Sequence, residues 1–379
     1  MPDDYYQWQS EEPLTKKVMN TIQQKTGTSP TGRLVQIRRL WAILALFSVL
    51  ATQQVVAGGP PTRAAFCVSY APSRQPPAAT MKSVQFPNGA LQMAGNLYLP
   101  AGFDAAKTYA TIVVVHPGGG VKEQTAGLYA KRLAEQGFVT LAFDASHQGA
   151  SEGLPRFLDD PMKRVGDIYS AVDYLTTLPY VDAKRIGALG ICAGSGATVK
   201  AAMTERRIKA LATVSAVDVG AASRKGWDGK ATTSSQLATL EAVAQQRTAE
   251  AAGAAPVYVP YVPNVGDRTA PRDLQEAADY YLTPRGQHPN APNKMLLTSA
   301  GYGAVFNTFD QAETLLTQPL LLVAGTAAGS LWHSQELYAK AAGPKELALI
   351  AGATHMDLYD GKGSERAMDH LTPFFKRTL

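Results

Sequence analysis

The sequence predicts an α/β fold: a mostly parallel, doubly wound sheet with helices on both faces and a cap insertion. From residue 81 onward, apolar β-rich segments alternate with segments of helical spacing, and repeated βα units form parallel sheets. The alternation breaks between residues 218 and 318, where polar helices and the loop "PVYVPYVPNVGDRTAP" lie. A long stretch of this kind is typical of a lid over one end of a sheet. We therefore predict one domain over 80–379 with a cap over about 219–318.

The individual elements follow from turn signals and periodicity. "MKSVQF" and "LQMAGNLYL" predict an antiparallel pair joined through "PNGA", a turn signal. Continuous apolar runs predict strands that are buried on both faces, and apolar residues three or four apart predict helices. The further strands are expected at 110–115, 138–143, 185–191, 208–217, 319–325 and 345–352, and the helices at 123–136, 161–178, 193–204, 334–342 and 364–375.

The N-terminal segment has the parts of a secretory signal. Arg38 and Arg39 precede an apolar run over residues 40–50, and "VVA" ends at Ala57; a basic flank, a short apolar core and small residues before the cleavage site define such signals. The run is too short to span a bilayer, which needs about 20 residues. We expect a leader over 1–57, a linker over 58–79, and a mature chain that is exported to the periplasm or secreted, without a stable membrane span. The alternative is an apolar helix buried against the body of a cytoplasmic protein.

Charge and cysteine content exclude several classes of protein. Residues 1–103 hold nine Lys/Arg and four Asp/Glu, and so carry the whole net charge of +5. No basic stripe with interleaved aromatic residues follows, which argues against nucleic-acid binding. Cys67 and Cys192 are the two cysteines, too few for a disulfide framework and without the spacing of a zinc site. We expect no metal, and we expect these two cysteines to lie far apart.

The stretch "GALGICAGSGA" places Cys192 where a nucleophile is expected. A nucleophile on a sharp strand-to-helix turn needs small residues two positions before and after it, and these are Gly190 and Gly194. The N-terminus of the following helix stabilises a thiolate. The backbone N–H of Ala193 is then available to bind an oxyanion.

Four alternatives compete for this stretch. A dinucleotide-binding loop fails because Val199 fills the last small position of its pattern, and a Walker A loop would need a Gly-Lys-Ser/Thr sequence that is absent. Ser195 is a possible nucleophile one helical turn beyond the strand. The fourth alternative is that Cys192 is a buried core cysteine without a catalytic role.

Two further segments supply the partners of a nucleophile. His355 follows the last predicted strand in "ALIAGATHMDLY", where a catalytic base belongs. "VVVHPGGG" leaves backbone N–H groups uncovered by side chains after a buried strand, so Gly118 or Gly119 is expected as the second oxyanion donor. His116 and His147 are expected to line the substrate site without acting as the base.

With these elements in place, the chain resembles the α/β hydrolases, and more narrowly the YcjY-like hydrolases. These are related to dienelactone hydrolases and to the fungal polyketide-transferase and thiohydrolase group. The resemblance covers about 81–379 and rests on "HPGGGVKEQTAGLYAKRLAEQGF", "FDASHQGASEG", "LPYVDAKRIGALGICAGSGA" and "GATHMDLYD". It implies a nucleophile–acid–histidine triad, small-molecule ester, thioester or lactone substrates, and no cofactor.

The triad acid is where the sequence departs from that pattern. "TAAGSLWHS" follows the strand that normally precedes the acid, so Gly329 or Ser330 stands where an aspartate is expected. We favour Asp218, after the preceding strand, as the acid. The next choice is a Cys–His dyad, because a thiol ionises more readily than a hydroxyl. Asp144 is expected to shape the loop near the oxyanion.

These residues predict a hydrolase that forms an acyl-enzyme on Cys192 and regenerates it with His355. An acyltransferase that uses the same site is the first alternative. A non-catalytic binding protein with a hydrolase fold is the second, suggested by the missing acid.

Overall fold

The computed structural model describes residues 78–379. The predicted leader, most of the predicted linker and Cys67 lie outside the described residues, so cleavage, export and the separation of Cys67 from Cys192 stay predictions.

Eight strands form one sheet in the order β1-β2-β4-β3-β5-β6-β9-β10. β2 pairs antiparallel with both β1 and β4, and all the other pairs are parallel. This confirms the predicted fold class. The strands are β1 Thr80–Asn88, β2 Leu91–Leu99, β3 Tyr109–Val115, β4 Val139–Phe143, β5 Val181–Ile191, β6 Ile208–Val214, β9 Leu320–Gly325 and β10 Lys345–Ile350, with β7 Tyr258–Val259 and β8 Met295–Leu296 as a separate antiparallel pair.

Helices connect the strands and cover both faces of the sheet. The helices are α1 Thr125–Glu135, α2 Pro161–Thr176, α3 Ala193–Thr204, α4 Val219–Lys225, α5 Thr233–Ala251, α6 Arg272–Leu282, α7 Ser299–Val305, α8 Ala312–Leu315, α9 Leu331–Lys340 and α10 Gly361–Thr378. α1 and α10 pack on one face, and α2, α3 and α9 pack on the other. The sheet is therefore doubly wound, as the sequence predicts.

The apolar run of β3 shows why the core has two layers. Ile112 and Val114 point to one helix layer, whereas Val113 and Val115 point to the other, because successive side chains of a strand alternate between faces. All four are at most 2% exposed. Burying one such side chain contributes about 1.5–3 kcal/mol. A core of this kind fixes the strand ends, and the carboxyl ends of β3, β5, β6, β9 and β10 meet at one edge.

The segment between β6 and β9 forms a cap of short helices and the β7–β8 pair. It begins at α4, but the last part of the segment belongs to the body. Phe306, Phe309 and Leu316 are buried in the same core layer as Val113. The cap therefore ends closer to residue 305 than to residue 318, because these apolar side chains return the chain to the sheet.

None of the helices within residues 78–379 combines the length and the apolar character needed to cross a membrane.

Candidate active site

Cys192 occupies a strained turn between β5 and α3. Its φ of 53° and ψ of −123° lie outside the regions that side-chain-bearing residues favour. A Cβ at Gly194 would lie 2.4 Å from the Val115 carbonyl oxygen, and one at Gly190 would lie 2.4 Å from the Cα of Ser195. The turn therefore requires glycine at both positions, as the sequence analysis expected.

Ser195, the alternative nucleophile, points away from the site. Its side chain is fully buried, and its hydroxyl donates a hydrogen bond to the Gly190 carbonyl at 2.8 Å. This contact braces the turn and leaves Cys192 as the residue whose side chain opens into a cavity.

The backbone donors around Cys192 are those of Ala193 and Gly118. Both N–H groups lie close enough to the Cys192 sulfur to favour its thiolate form. Gly119 sits differently: a Cβ there would lie 2.6 Å from the Tyr261 ring, and the residue has a φ of +66°. Of the two glycines expected as the second oxyanion donor, Gly118 is the one whose N–H faces the Cys192 sulfur.

A buried carboxylate fixes the loop that carries Gly118. Asp144 accepts hydrogen bonds from the backbone N–H of Lys122, the Lys122 ammonium and the N–H of Ala150, each at 2.8 Å. Lys122 also pairs with Glu123 at 2.7 Å. Asp144 thus joins the glycine loop to the loop after β4, in keeping with its expected role.

The thiol of Cys192 is neutral in this structure. Cys192 is half-buried, and burial raises the pKa of the thiol above its usual 9.0 although a tyrosine hydroxyl and the N–H groups act in the opposite direction. The helix N-terminus therefore does not by itself produce the thiolate that the sequence analysis expected. Ionisation has to accompany the chemistry, with a base nearby.

His355 follows β10 and lines the same cavity as Cys192. Its Nδ1 lies 2.6 Å from the hydroxyl oxygen of Ser330. Burial lowers the pKa of His355 to about 3, so the ring is neutral. With its hydrogen on Nδ1, the imidazole donates to Ser330 and leaves Nε2 as an acceptor, which is the tautomer that suits a general base.

Asp218, the favoured acid, is used elsewhere. Its carboxylate accepts a hydrogen bond from the N–H of Ala221 at 2.8 Å and caps α4. Its own N–H donates to Nδ1 of His333 at 3.3 Å. Among the described residues no hydrogen bond joins Asp218 to His355. The structure therefore brings Ser330, not Asp218, to the histidine.

Tyr359 is the site residue that sequence reasoning missed. Its hydroxyl lies 3.4 Å from Nε2 of His355 and is close enough to the Cys192 sulfur to lower the pKa of the thiol. Within residues 78–379 no direct hydrogen bond joins Cys192 to His355. The signal was present in "GATHMDLYD", since Tyr359 lies one helical turn beyond His355, but nothing in that spacing distinguishes it from a core tyrosine.

His116 and His147 do not line the cavity. The N–H of Ala145 donates to Nε2 of His116 at 3.0 Å, and Nδ1 of His116 lies 2.6 Å from the Pro117 carbonyl, so both ring nitrogens are satisfied. The His147 ring packs inside its own loop, with Nδ1 3.0 Å from the Pro155 carbonyl. The expectation that these two histidines bind substrate is corrected: they hold loops.

The cavity over Cys192 has a volume of about 330 Å³ and lies between the sheet edge and the cap. Its lining is mainly apolar. In the described part of the chain, Asp159 and Asp273 are the only charged residues that line it. The large side chains around it are Trp227, Tyr261, Leu274, Tyr281, Met295 and Met356.

No group of three or more His, Cys, Asp or Glu side chains among residues 78–379 is arranged to hold a metal ion.

The sheet order, the strained turn after β5 and the histidine after β10 define the chain as an α/β hydrolase. Residues 93–248 match the Dienelactone hydrolase family. The uncharacterized protein YcjY of Escherichia coli K12 is 46% identical over 294 residues, which cover 77% of this chain and 96% of that protein. The chain belongs to the dienelactone hydrolase family.

Two further relatives match this chain over nearly the whole of their own lengths. The crystal structure of the hypothetical protein PA2218 from Pseudomonas aeruginosa superposes with a TM-score of 0.75 at 35% identity, over 80% of this chain and 94% of that one. The polyketide transferase claH of Penicillium crustosum is 25% identical over 76% of this chain and 94% of its own.

Proposed function

We propose that this hydrolase cleaves a carboxylic ester, thioester or lactone through an acyl-enzyme on Cys192. The observation that carries the proposal is the arrangement around one sulfur atom. Cys192 stands on a strained turn, faces the N–H groups of Ala193 and Gly118, and shares a cavity with the neutral base His355.

The chemistry begins from a neutral thiol and a neutral imidazole. The sulfur attacks the carbonyl carbon while its proton passes to Nε2 of His355. The N–H groups of Ala193 and Gly118 then hold the oxyanion, which is the charge that develops in the transition state. The imidazolium gives the proton to the leaving group, and water that is deprotonated by His355 releases the acid and the free thiol.

Ser330 takes the orienting role in this proposal, in place of Asp218. A serine hydroxyl fixes the ring and its tautomer by accepting from Nδ1–H at 2.6 Å, but it adds no negative charge to stabilise the imidazolium. A sulfur nucleophile tolerates this arrangement because a thiol loses its proton more readily than a serine hydroxyl does.

The cavity supports an apolar, medium-sized acyl group. Its walls are aliphatic and aromatic, and its charged lining residues in the described chain are both carboxylates. We expect substrates with an aliphatic or aromatic acyl group and no negative charge, since a carboxylate placed in a low-dielectric cavity beside Asp159 or Asp273 is repelled.

The second candidate is transfer of the acyl group to an alcohol or amine. The name of one relative, the polyketide transferase claH, favours it. The first steps are the same, and only the acceptor differs. Adding primary alcohols and amines to the reaction and analysing the products separates the two: acid alone indicates hydrolysis, and new esters or amides indicate transfer.

Turnover of a p-nitrophenyl butyrate panel by two variants tests the proposal. Cys192→Ala should lose at least about 10³-fold in kcat, because a nucleophile carries the whole covalent route. Cys67→Ala removes the other thiol of the chain and serves as the matched control, with activity equal to that of the wild type. Turnover that persists in folded Cys192→Ala rejects the proposal. An inactive wild type whose Cys192 resists thiol-directed probes favours the binding-protein alternative.

A further inference from the structure

Tyr359 places a hydroxyl between the nucleophile and the base. The oxygen lies 3.4 Å from Nε2 of His355, and the hydroxyl is close enough to the Cys192 sulfur to lower the pKa of the thiol. The side chain is 1% exposed and lines the cavity at the reacting atoms. A proton that leaves the thiol for the imidazole therefore meets this oxygen on its route.

Packing holds the Tyr359 ring in that position. The Tyr280 ring meets it edge-on at 5.3 Å between centroids, and the Tyr281 ring meets it edge-on at 6.3 Å. The hydroxyl of Thr125 donates to the Tyr359 carbonyl at 2.9 Å and fixes the backbone. The hydroxyl is thus positioned by the fold rather than by a mobile loop.

The protonation states fit a relay. Burial raises the pKa of Tyr359 well above 10, so the phenol keeps its hydrogen. Burial also keeps His355 neutral, with Nε2 open when the hydrogen on Nδ1 is given to Ser330. The thiol hydrogen of Cys192 and the free Nε2 of His355 therefore lie on either side of the Tyr359 hydroxyl, which can accept the one and donate to the other.

We propose that Tyr359 carries the proton from Cys192 to His355. The S–H bond of Cys192 breaks as its proton joins the Tyr359 oxygen, and the original O–H bond breaks as that hydrogen joins Nε2 of His355. Two bonds to hydrogen break and two form, tyrosine ends unchanged, and a thiolate and an imidazolium result. The inference rests on the proposed function, since it assigns the route between the nucleophile and base named there.

Paired tyrosine variants test this role. Tyr359→Phe should lower kcat/KM for p-nitrophenyl butyrate by about 10²-fold, within the range of a lost proton-transfer group. It should also slow iodoacetamide alkylation of Cys192 at pH 8, because the thiol loses a donor that lowers its pKa. Tyr280→Phe removes a hydroxyl from a ring that packs on Tyr359 outside the cavity, and both rates should stay within about twofold of the wild type.

The outcomes distinguish a failure of the proton relay from a failure of the proposed function. If Cys192→Ala is inactive but folded Tyr359→Phe keeps kcat/KM within about twofold of the wild type, the relay is wrong and the nucleophile stands. An equal loss in Tyr280→Phe also overturns the relay, since ring packing then explains both. If Cys192→Ala stays active, the proposed function itself fails.

A measurement on the wild-type chain covers the case in which Tyr359→Phe does not fold. kcat/KM is measured in mixtures of H₂O and D₂O. Two protons in flight give a curved dependence on the deuterium fraction, and this is the expected result. A straight line indicates one proton in flight and contradicts the relay.

Discussion

At position 330 a hydroxyl stands where an α/β hydrolase of this pattern is expected to carry an aspartate. Ser330 lies 2.6 Å from Nδ1 of His355, and the shift of the His355 pKa comes from burial without an acidic neighbour. The Ser330 hydroxyl therefore orients the His355 ring but places no negative charge beside it.

Ser330→Ala should lower kcat/KM by roughly 3- to 10-fold, which corresponds to the loss of one neutral hydrogen bond. Ser330→Asp should raise the pKa of His355, because a neighbouring carboxylate favours the imidazolium. The acidic limb of the pH–rate profile should then move to higher pH. Steady-state kinetics between pH 4 and pH 9 measure both effects.

Asp218→Asn serves as the control for that experiment. Its carboxylate caps α4, and an asparagine caps a helix nearly as well as an aspartate, so the variant should lose less than about 1 kcal/mol of stability while the pH–rate profile keeps its midpoint. A profile that moves with Asp218→Asn and not with Ser330→Asp would restore Asp218 as the orienting acid.

Local spacing predicted the residues whose roles depend on the backbone, and it failed for those whose roles depend on tertiary contacts. The strained turn at Cys192 was predictable from Gly190 and Gly194, because such a turn excludes side chains two positions before and after its central residue. Ser330 and Tyr359 reach His355 through the packing of separate segments. Their residue types are common in loops and cores, and no spacing rule marks them.

At the scale of elements, the carboxylate of Asp273 joins the cap to the turn that carries Ser330. Asp273 in the first turn of α6 accepts hydrogen bonds from Nε1 of Trp227 at 3.0 Å and from the N–H of Gly329 at 2.7 Å. The Trp227 ring meets His355 edge-on, with centroids 4.9 Å apart. Asp273 thus fixes the cap, and the tryptophan that covers the base, to the turn that carries Ser330.

Asp273→Ala should raise KM by about 10-fold, because two hydrogen bonds to a buried carboxylate are lost and the cap opens more readily. Hydrogen exchange should quicken in peptides that span residues 226–232. Asp279→Ala changes an exposed carboxylate on the same helix that pairs with Arg285, and it should leave both measurements unchanged. Equal behaviour of the two variants would show that the contact does not hold the cap.

The strands and helices of the body were predictable because their signal is periodic. β3, β9 and the last six residues of β5 are buried on both faces and have continuous apolar sequences. The cap was recognisable only because the alternation of strands and helices breaks there. Phe306 and Phe309 belong to the core, but their neighbours do not show the alternation of a strand or the spacing of a long helix.

At the scale of the whole molecule, three histidines fold in their neutral forms. Burial is the largest cause that lowers the pKa of His116, His333 and His355, each to about 3 from the usual 6.5. In the unfolded chain they take up protons below pH 6.5, and in the folded chain they do so only near pH 3. Their contribution to stability is present above pH 6.5 and is lost as the pH falls through this window.

The free energy of unfolding should therefore fall by roughly 1 to 3 kcal/mol between pH 6 and pH 5, since each unmatched proton contributes about 1.4 kcal/mol per pH unit. Burial raises the pKa of Asp167 to about 6. Its folded form binds a proton in the same range, which offsets part of the loss. Urea unfolding at pH 7, 6 and 5 measures the trend, and a stability that rises as the pH falls would show that these histidines are charged in the fold.

The mass of the trapped intermediate tests the central proposal most directly. The protein is mixed with excess p-nitrophenyl butyrate, quenched in acid within the burst phase, digested and analysed by mass spectrometry. A butyryl group on the peptide that contains Cys192, absent from Cys192→Ala and retained in Cys67→Ala, is the predicted result. Turnover with no acyl group on Cys192, or with the group on another side chain, would contradict it.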